Sequence, residues 1–296
     1  MKTNQSEEVT IDNYKPSFLK KVTQHKGASI GLFIILFFLI TALFAPFFVN
    51  HDPGTIYENS LKVPPVWAAE GQTSFFLGTD DLGRDILSRL IYGSRISIFI
   101  GFFVVILSLT LGTLLGLISG YFGGTIDRVI MRVIDIIMSF PSILLAIVVV
   151  TLLGPGIKNA VFAVSIVSIP GFTRIVRSTV LVEKEKEYKA ASEAFGASPF
   201  RTLFLEIFPN CLAPLIVQGS LSFSDAILNA AALSFLGLGA QPPIAEWGIM
   251  LSDAKPFIES APWMATSPGV CILLLVLGFN LFGDGLRDIL DPKLER

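Results

Sequence analysis

Long charge-free runs alternate along this chain with short charged segments, and that pattern sets the first expectation. A run of about 20 mostly apolar residues suffices to cross a hydrocarbon core about 30 Å thick. Residues 27–51 form such a run, densest over 30–49, and residues 96–126, 136–157 and 260–283 form three more. Residues 159–173 make a shorter run, which Ile175 and Val176 extend beyond Arg174. Residues 207–245 are apolar except for Asp225, too long for one crossing and too short for two with a loop. They read as a single helix from about Pro214 to Phe235. The pattern predicts an all-α membrane protein with six transmembrane helices.

Composition agrees. Charged residues make up 16% of the 296 residues, against about 25% in soluble domains. The net charge of −2 is too small and of the wrong sign to point to nucleic acid, and no nucleic-acid partner is expected. Placement of the bases sets an orientation. With the N-terminus inside, 16 of the 22 Lys and Arg fall on the inner side, so the positive-inside rule predicts both termini cytoplasmic. The chain then divides into a cytoplasmic tail (1–26), a first span (27–50), an outer loop with an interfacial helix (51–95), a five-helix core (96–290) and a short tail (291–296). The first span is too long, and too far from the N-terminus, for a cleavable signal peptide. Cys211 and Cys271 fall near opposite membrane faces, which excludes a disulfide between them.

Several polar positions stand out against this background. In the outer loop, Thr79 or Asp80 is placed to cap a helix with Leu82, Ile86, Leu90 and Ile91 on one face. Arg84, Asp85, Ser88 and Arg89 lie mostly on the other face, either as the polar side of an interfacial helix or as a docking surface. Gly112, Gly116 and Gly120 recur every fourth residue and let a neighbouring helix approach closely. Asp135 sits near the inner end of span three, with Arg132 three residues before it as the expected ion-pair partner and Arg128 a turn further back. Asp225 lies halfway along span five, with Ser222 before it and Asn229 one turn on, the same face in a helix. Such a residue lines a solute pathway or belongs to a buried hydrogen-bond network. Asn280, Asp284, Arg287 and Asp288 place a further polar cluster at the inner end of span six.

The segment 183–210 between spans four and five splits into two helices. Over 187–195, Tyr188, Ala191, Ser192 and Phe195 share a face, and Gly196 suits the left-handed conformation that ends a helix. Ser198 followed by Pro199 is a helix start, and Phe200, Leu203, Phe204 and Ile207 then follow helical spacing. Pro209 and Pro214 punctuate the approach to span five. Spacing leaves two roles open: the first helix packs beneath its own bundle, or it fills a groove on another protein.

The same segment resembles the EAA loop of ABC importer membrane subunits: Glu-Ala-Ala, three residues, Gly, nine residues, then Ile-x-Leu-Pro. Gly196, Pro209 and Ala191 match in register; Ala190 stands for Glu, Ser192 for Ala, Glu206 for Ile and Phe208 for Leu. The stretches GTDDLGRDILSRLIYGSR (from Gly78), DRVIMRVIDIIMSFPSILLAI (from Asp127), LSFLGLGAQPP (from Leu233), EWGIML (from Glu246) and FNLFGDGLRDILDP (from Phe279) narrow it. They resemble the dipeptide/oligopeptide/nickel permease family, nearest within it to C-type dipeptide permease subunits, and the likeness runs from about Lys26 to the end.

That resemblance implies a type I ABC importer permease fold in a bacterial inner membrane. It implies a homologous B-type permease subunit, two cytoplasmic ATPase subunits that bind ATP and Mg, and a periplasmic peptide-binding protein as partners. It assigns ATPase coupling to Glu187, Tyr188, Ala190, Ala191, Ser192, Glu193, Phe195, Gly196, Ala197 and Pro209. Ser222, Asp225 and Asn229 become pathway residues, and Asp81, Arg84, Glu246 and Trp247 contacts for the binding protein. The residues themselves predict no cofactor on this chain. There is no phosphate-binding Gly-x-x-x-x-Gly-Lys-Ser/Thr loop, the only His residues (His25 and His51) lie outside the spans, and no catalytic or metal-ligating constellation occurs. Two alternatives stay open: the same architecture carrying nickel, haem or another peptide-like solute, and a proton-coupled secondary transporter using Asp225.

Overall fold

A computed structural model describes residues 18–290 of the chain. The tails 1–17 and 291–296 lie outside the described residues. Helix α1 (Phe18–Gln24) leads into α2 (Lys26–Leu43), capped by His25, whose Nδ1 accepts from the Ala28 amide at 3.1 Å. The apolar run continues past Leu43, but the helix breaks at Phe44, just before Pro46, and resumes as the short α3 (Ala45–Phe48).

An irregular loop then leads to α4 (Ile86–Phe122), which starts ten residues before the span predicted from charge alone. No separate interfacial helix forms. Asp85, rather than Thr79 or Asp80, caps α4 by accepting from the Ser88 amide, and Asp80 closes the turn at residues 80–84 instead. Once capped there, Ile86 to Arg95 simply become the first turns of a 37-residue helix, about 55 Å long and longer than the hydrocarbon core.

Helices α5 (Gly124–Met138) and α6 (Ser142–Leu153) are bent 93° apart at Ser139–Pro141, where proline disfavours continuation of the helix before it. They replace the single straight span expected over 136–157. Helix α7 (Ile157–Glu183) follows, then α8 (Glu187–Ala194). Helix α7 runs past Arg174 because its cations have partners: Arg174 meets Asp135 at 2.7 Å and Arg177 holds Asp127. Asp135 therefore pairs across to α7 and not along its own helix to Arg132.

The next span is also longer than expected. A turn, α9 (Pro199–Arg201), passes through π-helical turns (Thr202–Ile207) into α10 (Phe208–Phe235) without interruption. Pro209 does not break it. It sits just past the π-helical turns, whose wider spacing accommodates the amide it lacks within a continuous helix. Helix α11 (Trp247–Ala254) and α12 (Trp263–Leu290) complete the described chain.

Among the described residues five helices are long and apolar enough to cross a membrane, and six crossings result if the bent pair is one. Contacts between loops decide this. The loop before α4 touches α11, with Arg84 facing Asp253 at 3.5 Å and the Trp247 indole donating to the Leu90 carbonyl at 3.0 Å. Both ends therefore lie on one side of the membrane, which requires an even number of crossings between them. Helices α4, α7 and α10 supply three; the bent pair supplies the fourth. Its α5 end lies beside the end of α7 through Asp127, and its α6 end beside residue 238 through the Gly156 amide.

The core centres on α4 against α7, the most extensive helix pair. Gly112, Gly116 and Gly120 face α7 as their spacing predicts. A Cβ built on Gly116 would lie 2.7 Å from the Thr173 carbonyl oxygen, and one on Gly120 2.8 Å from the Val180 Cβ. Leu117, Phe172, Val176, Val180, Ile207 and Leu215 fill the space below this seam. Cys211 and Cys271 are both free thiols.

Candidate functional site

Helix α8 stands between two crossings and has no buried residue. Lys186 precedes it in extended conformation, Glu187 occupies the first turn, and Lys189 meets Glu193 at 2.9 Å one turn apart. At its C-terminus Gly196 has φ +83, a conformation that side-chain-bearing residues rarely adopt. The Ala197 amide bonds back to the Ser192 carbonyl at 3.1 Å, the return bond of a glycine-terminated helix. Ser198 caps the next turn through its hydroxyl, accepting from the Arg201 amide. The break read from Gly196, Ser198 and Pro199 is where the structure has it.

Tyr188 and Ser192, predicted to share a face, do share one, and it faces the chain's own membrane helices. The Tyr188 hydroxyl donates to Glu183 Oε2 at 2.9 Å, and the Ser192 hydroxyl donates to Glu206 Oε1 at 2.6 Å. Glu183, at the end of α7, is only 7% exposed and also receives Lys186 Nζ at 2.6 Å. Burial, then the Glu183 carboxylate, push the Tyr188 phenol up to about 12, so it stays a donor. Ala190, Ala191, Glu193 and Ala194 remain exposed, and Phe195 is 92% exposed. Phe200 and Leu205 are exposed beside them, whereas Leu203 and Ile207 are buried. The amphipathic face predicted over 200–207 is thus split by the π-helical turns. Pro209 lies at the foot of α10, outside this surface.

Along α10, Gln218, Ser222, Asp225 and Asn229 recur at helical spacing. Asp225 is exposed on the lone chain, Asn229 donates to the Asp225 carbonyl at 2.8 Å, and Ser222 is buried, accepting from Gln218 at 2.9 Å. Towards the α8 side this stripe opens on a cavity of about 630 Å³ between α7, α10 and α12. Ser178, Thr179, Asn210, Gln218 and Arg287 line it with apolar neighbours.

On the opposite side, the four residues assigned to an outer contact mostly lie beneath the surface. Arg84, Glu246 and Trp247 are buried, and Asp81 is half-buried. Arg84 Nε meets Asp80 Oδ2 at 2.6 Å, and Arg89 approaches the same oxygen at 3.5 Å. Glu246 caps α11, its two oxygens accepting from the Gly248 and Ile249 amides at 2.9 and 3.0 Å and from the Ser97 hydroxyl at 3.2 Å. Burial outweighs these bonds and raises its carboxyl above the ordinary range; burial likewise raises Asp253 despite the nearby Arg84 and Arg89. Trp247 packs edge-on against Phe38. Sequence reasoning read Asp80 as a helix cap and Arg89 as part of a polar helix face, and missed Asp253, which pairs with Arg84 from α11. Among the described residues no group of three His, Cys, Asp or Glu could hold a metal ion.

The described residues thus combine six crossings with a small helix held between the fourth and fifth, the architecture of a multi-pass membrane protein. Residues 112–296 match the family described as the inner membrane component of binding-protein-dependent transport systems, and residues 17–65 match the N-terminal transmembrane domain of oligopeptide transport permease C. The chain belongs to this family: it is a multi-pass inner-membrane permease subunit of an ABC importer. It is 53% identical to the dipeptide transport system permease protein DppC of Escherichia coli (strain K12), over 92% of this chain and 91% of that one. It is 50% identical to the di/tripeptide transport system permease protein DppC of Pseudomonas aeruginosa (strain UCBPP-PA14), over 95% and 94%. Its fold is that of the permease in an inward facing conformation of the MetNI methionine ABC transporter, with a TM-score of 0.57 at 18% identity over 70% of this chain and 98% of that chain.

Proposed function

We propose that this permease forms half of the translocation pathway of an ATP-driven importer of dipeptides or short peptides. The other half is a homologous permease subunit. Two ATPase subunits bind ATP and Mg and dock on the α8 side, which the distribution of Lys and Arg makes cytoplasmic, and a peptide-binding protein delivers solute to the opposite side. The observation that carries this reading is α8: an eight-residue helix with no buried residue, ending in an exposed Phe195. Apolar surface left in water between two crossings calls for a partner that covers it. The peptide assignment rests on the relatives' names.

In this reading Ala190, Ala191, Glu193 and Phe195 enter a groove on an ATPase subunit, and Gly196 sets the angle between α8 and the following helix. ATP-driven closure of the ATPases moves α8, and the crossings rock between inward-open and outward-open arrangements. The stripe through Asp225 and Asn229, with the cavity below it, supplies the polar wall of the pathway. The surface over Asp81, Arg84, Glu246 and Trp247 is the platform for the binding protein, with the buried members holding its shape.

Reconstitution with the partner subunits tests this. Ala191→Arg and Gly196→Pro should abolish both ATPase association and peptide uptake while leaving membrane insertion intact; normal association and uptake in both would overturn the docking role. The exposed carboxylate of Asp225 favours a second reading, a proton-coupled carrier. Uptake that persists without ATP and collapses with the proton gradient would establish that one instead.

A further inference from the structure

A helix that receives mechanical work must do more than fit its partner; it must be fastened to what it moves. Helix α8 lacks the usual fastening. None of its side chains is fully buried, so little apolar packing fixes its rotation about its own axis. What joins it to the bundle is polar. Tyr188 and Ser192 lie four residues apart, on one side of a helix, and their hydroxyls reach two carboxylates on two different membrane helices. Tyr188 bonds to Glu183 at the end of α7, and Ser192 bonds to Glu206 in the π-helical turns that open into α10. Lys186 adds a second bond to Glu183 from the residue just before α8. Both carboxylates are backed by protein: Glu183 is buried, and Glu206 Oε2 is buried without a hydrogen-bond partner among the described residues.

We infer that Tyr188 and Ser192 are positioning residues which clamp α8 to α7 and α10 together, so that a push on α8 turns both crossings at once. The inference rests on the proposed docking of α8 but concerns the opposite side of the helix. The outward side carries Ala190, Glu193 and Ala194 to the partner, Ala191 and Phe195 stand exposed at the edge beside the hydroxyls, and the inward side carries the two hydroxyls to the bundle. Two hydroxyl–carboxylate bonds one turn apart resist rotation where a single one would act as a pivot.

The experiment uses the full transporter in proteoliposomes, with its ATPases and binding protein, and reads two quantities: co-purification of the ATPases, and peptide taken up per ATP hydrolysed. The double variant Tyr188→Phe with Ser192→Ala should co-purify with the ATPases as the parent does and still hydrolyse ATP. Its uptake per ATP should fall by about tenfold, the scale of losing the pair of hydrogen bonds. Ser192→Thr, which keeps the hydroxyl, should restore coupling when it replaces Ser192→Ala. Unchanged uptake per ATP in the double variant overturns the clamp. Loss of ATPase co-purification in that variant also overturns it, because the hydroxyls would then belong to the docking surface. Ala191→Arg separates the two ideas: if it keeps its ATPases and its uptake, the docking reading fails independently of the clamp.

Discussion

The guanidinium of Arg177 grips both oxygens of Asp127, Nε to Oδ1 and Nη2 to Oδ2, each at 2.6 Å, across 50 residues of sequence. Ser119 at the end of α4 donates to the same Oδ1. One carboxylate therefore joins the ends of α4, α5 and α7 on the α8 side of the membrane. Asp127→Ala should destabilise the chain by about 1.5–3 kcal/mol, the range for hydrogen bonds to charged groups. A double-mutant cycle with Arg177→Ala, followed by thermal unfolding in detergent, checks it. Additive losses would show that the two residues act independently.

At Gly116 the backbone of α7 comes within reach of a Cβ. Gly116→Val should force α4 and α7 apart and cost about 1–3 kcal/mol as overpacking. Gly219, whose nearest neighbours stand 3.9 Å from a built Cβ, should accept Ala with little loss. Comparison of the two melting temperatures decides whether the seam is as tight as described.

The seam was legible because close packing needs a periodic absence of side chains, and periodicity is a property of sequence. Gly196, Ser198 and Pro199 were legible for a similar reason: each acts through its own backbone, and the break after α8 follows. Helix lengths were not. Charge was used to start the second span after Arg95 and to mark the fourth as short at Arg174, yet Arg95 donates to the Ala42 and Leu43 carbonyls at the end of α2, and Arg174 finds Asp135. A cation ends a helix in a membrane only when it lacks a partner, and the partners here come from distant segments. The same applies on the opposite side, where Arg84 and Glu246 looked like surface charges and are interior ones. The inward direction of Tyr188 and Ser192 also needed Glu183 and Glu206 in space.

Glu246 binds its proton more tightly in the folded chain than in an ordinary carboxylic acid, because burial outweighs its hydrogen bonds. Its contribution to stability is thus fully present below the unfolded carboxyl value of about 4.3, falls as pH rises through the raised folded value, and is level above it. Asp253 shifts in the same direction and adds to the slope. Glu246→Gln should flatten, but not abolish, the loss of stability on raising pH from the acid range. Glu246→Ala, which removes both acceptors from the start of α11, should lower stability by about 1–2 kcal/mol. Melting curves recorded across pH for parent and both variants provide the check; a Gln profile parallel to the parent's would refute the assignment.

Asp225 faces away from its own bundle, so its charge contributes little to holding the lone chain together. Asp225→Asn should leave the stability of the isolated subunit, read from its melting curve, within about 0.5 kcal/mol of the parent, the usual range for exposed changes. In the assembled transporter it should lower uptake or alter the preference between charged peptides. Unchanged solute range and rate would make Asp225 a bystander to transport.

Because α8 contributes no side chain to the interior, the bundle can fold without regard to what α8 displays. Its outward letters are free to drift with whichever engine they must fit, while the two hydroxyls beneath keep the mount the same. Exchanging Ala190, Ala191, Glu193 and Ala194 for the residues of another permease should therefore yield a stable protein with a new choice of ATPase: a socket that can be recut without rebuilding the machine behind it.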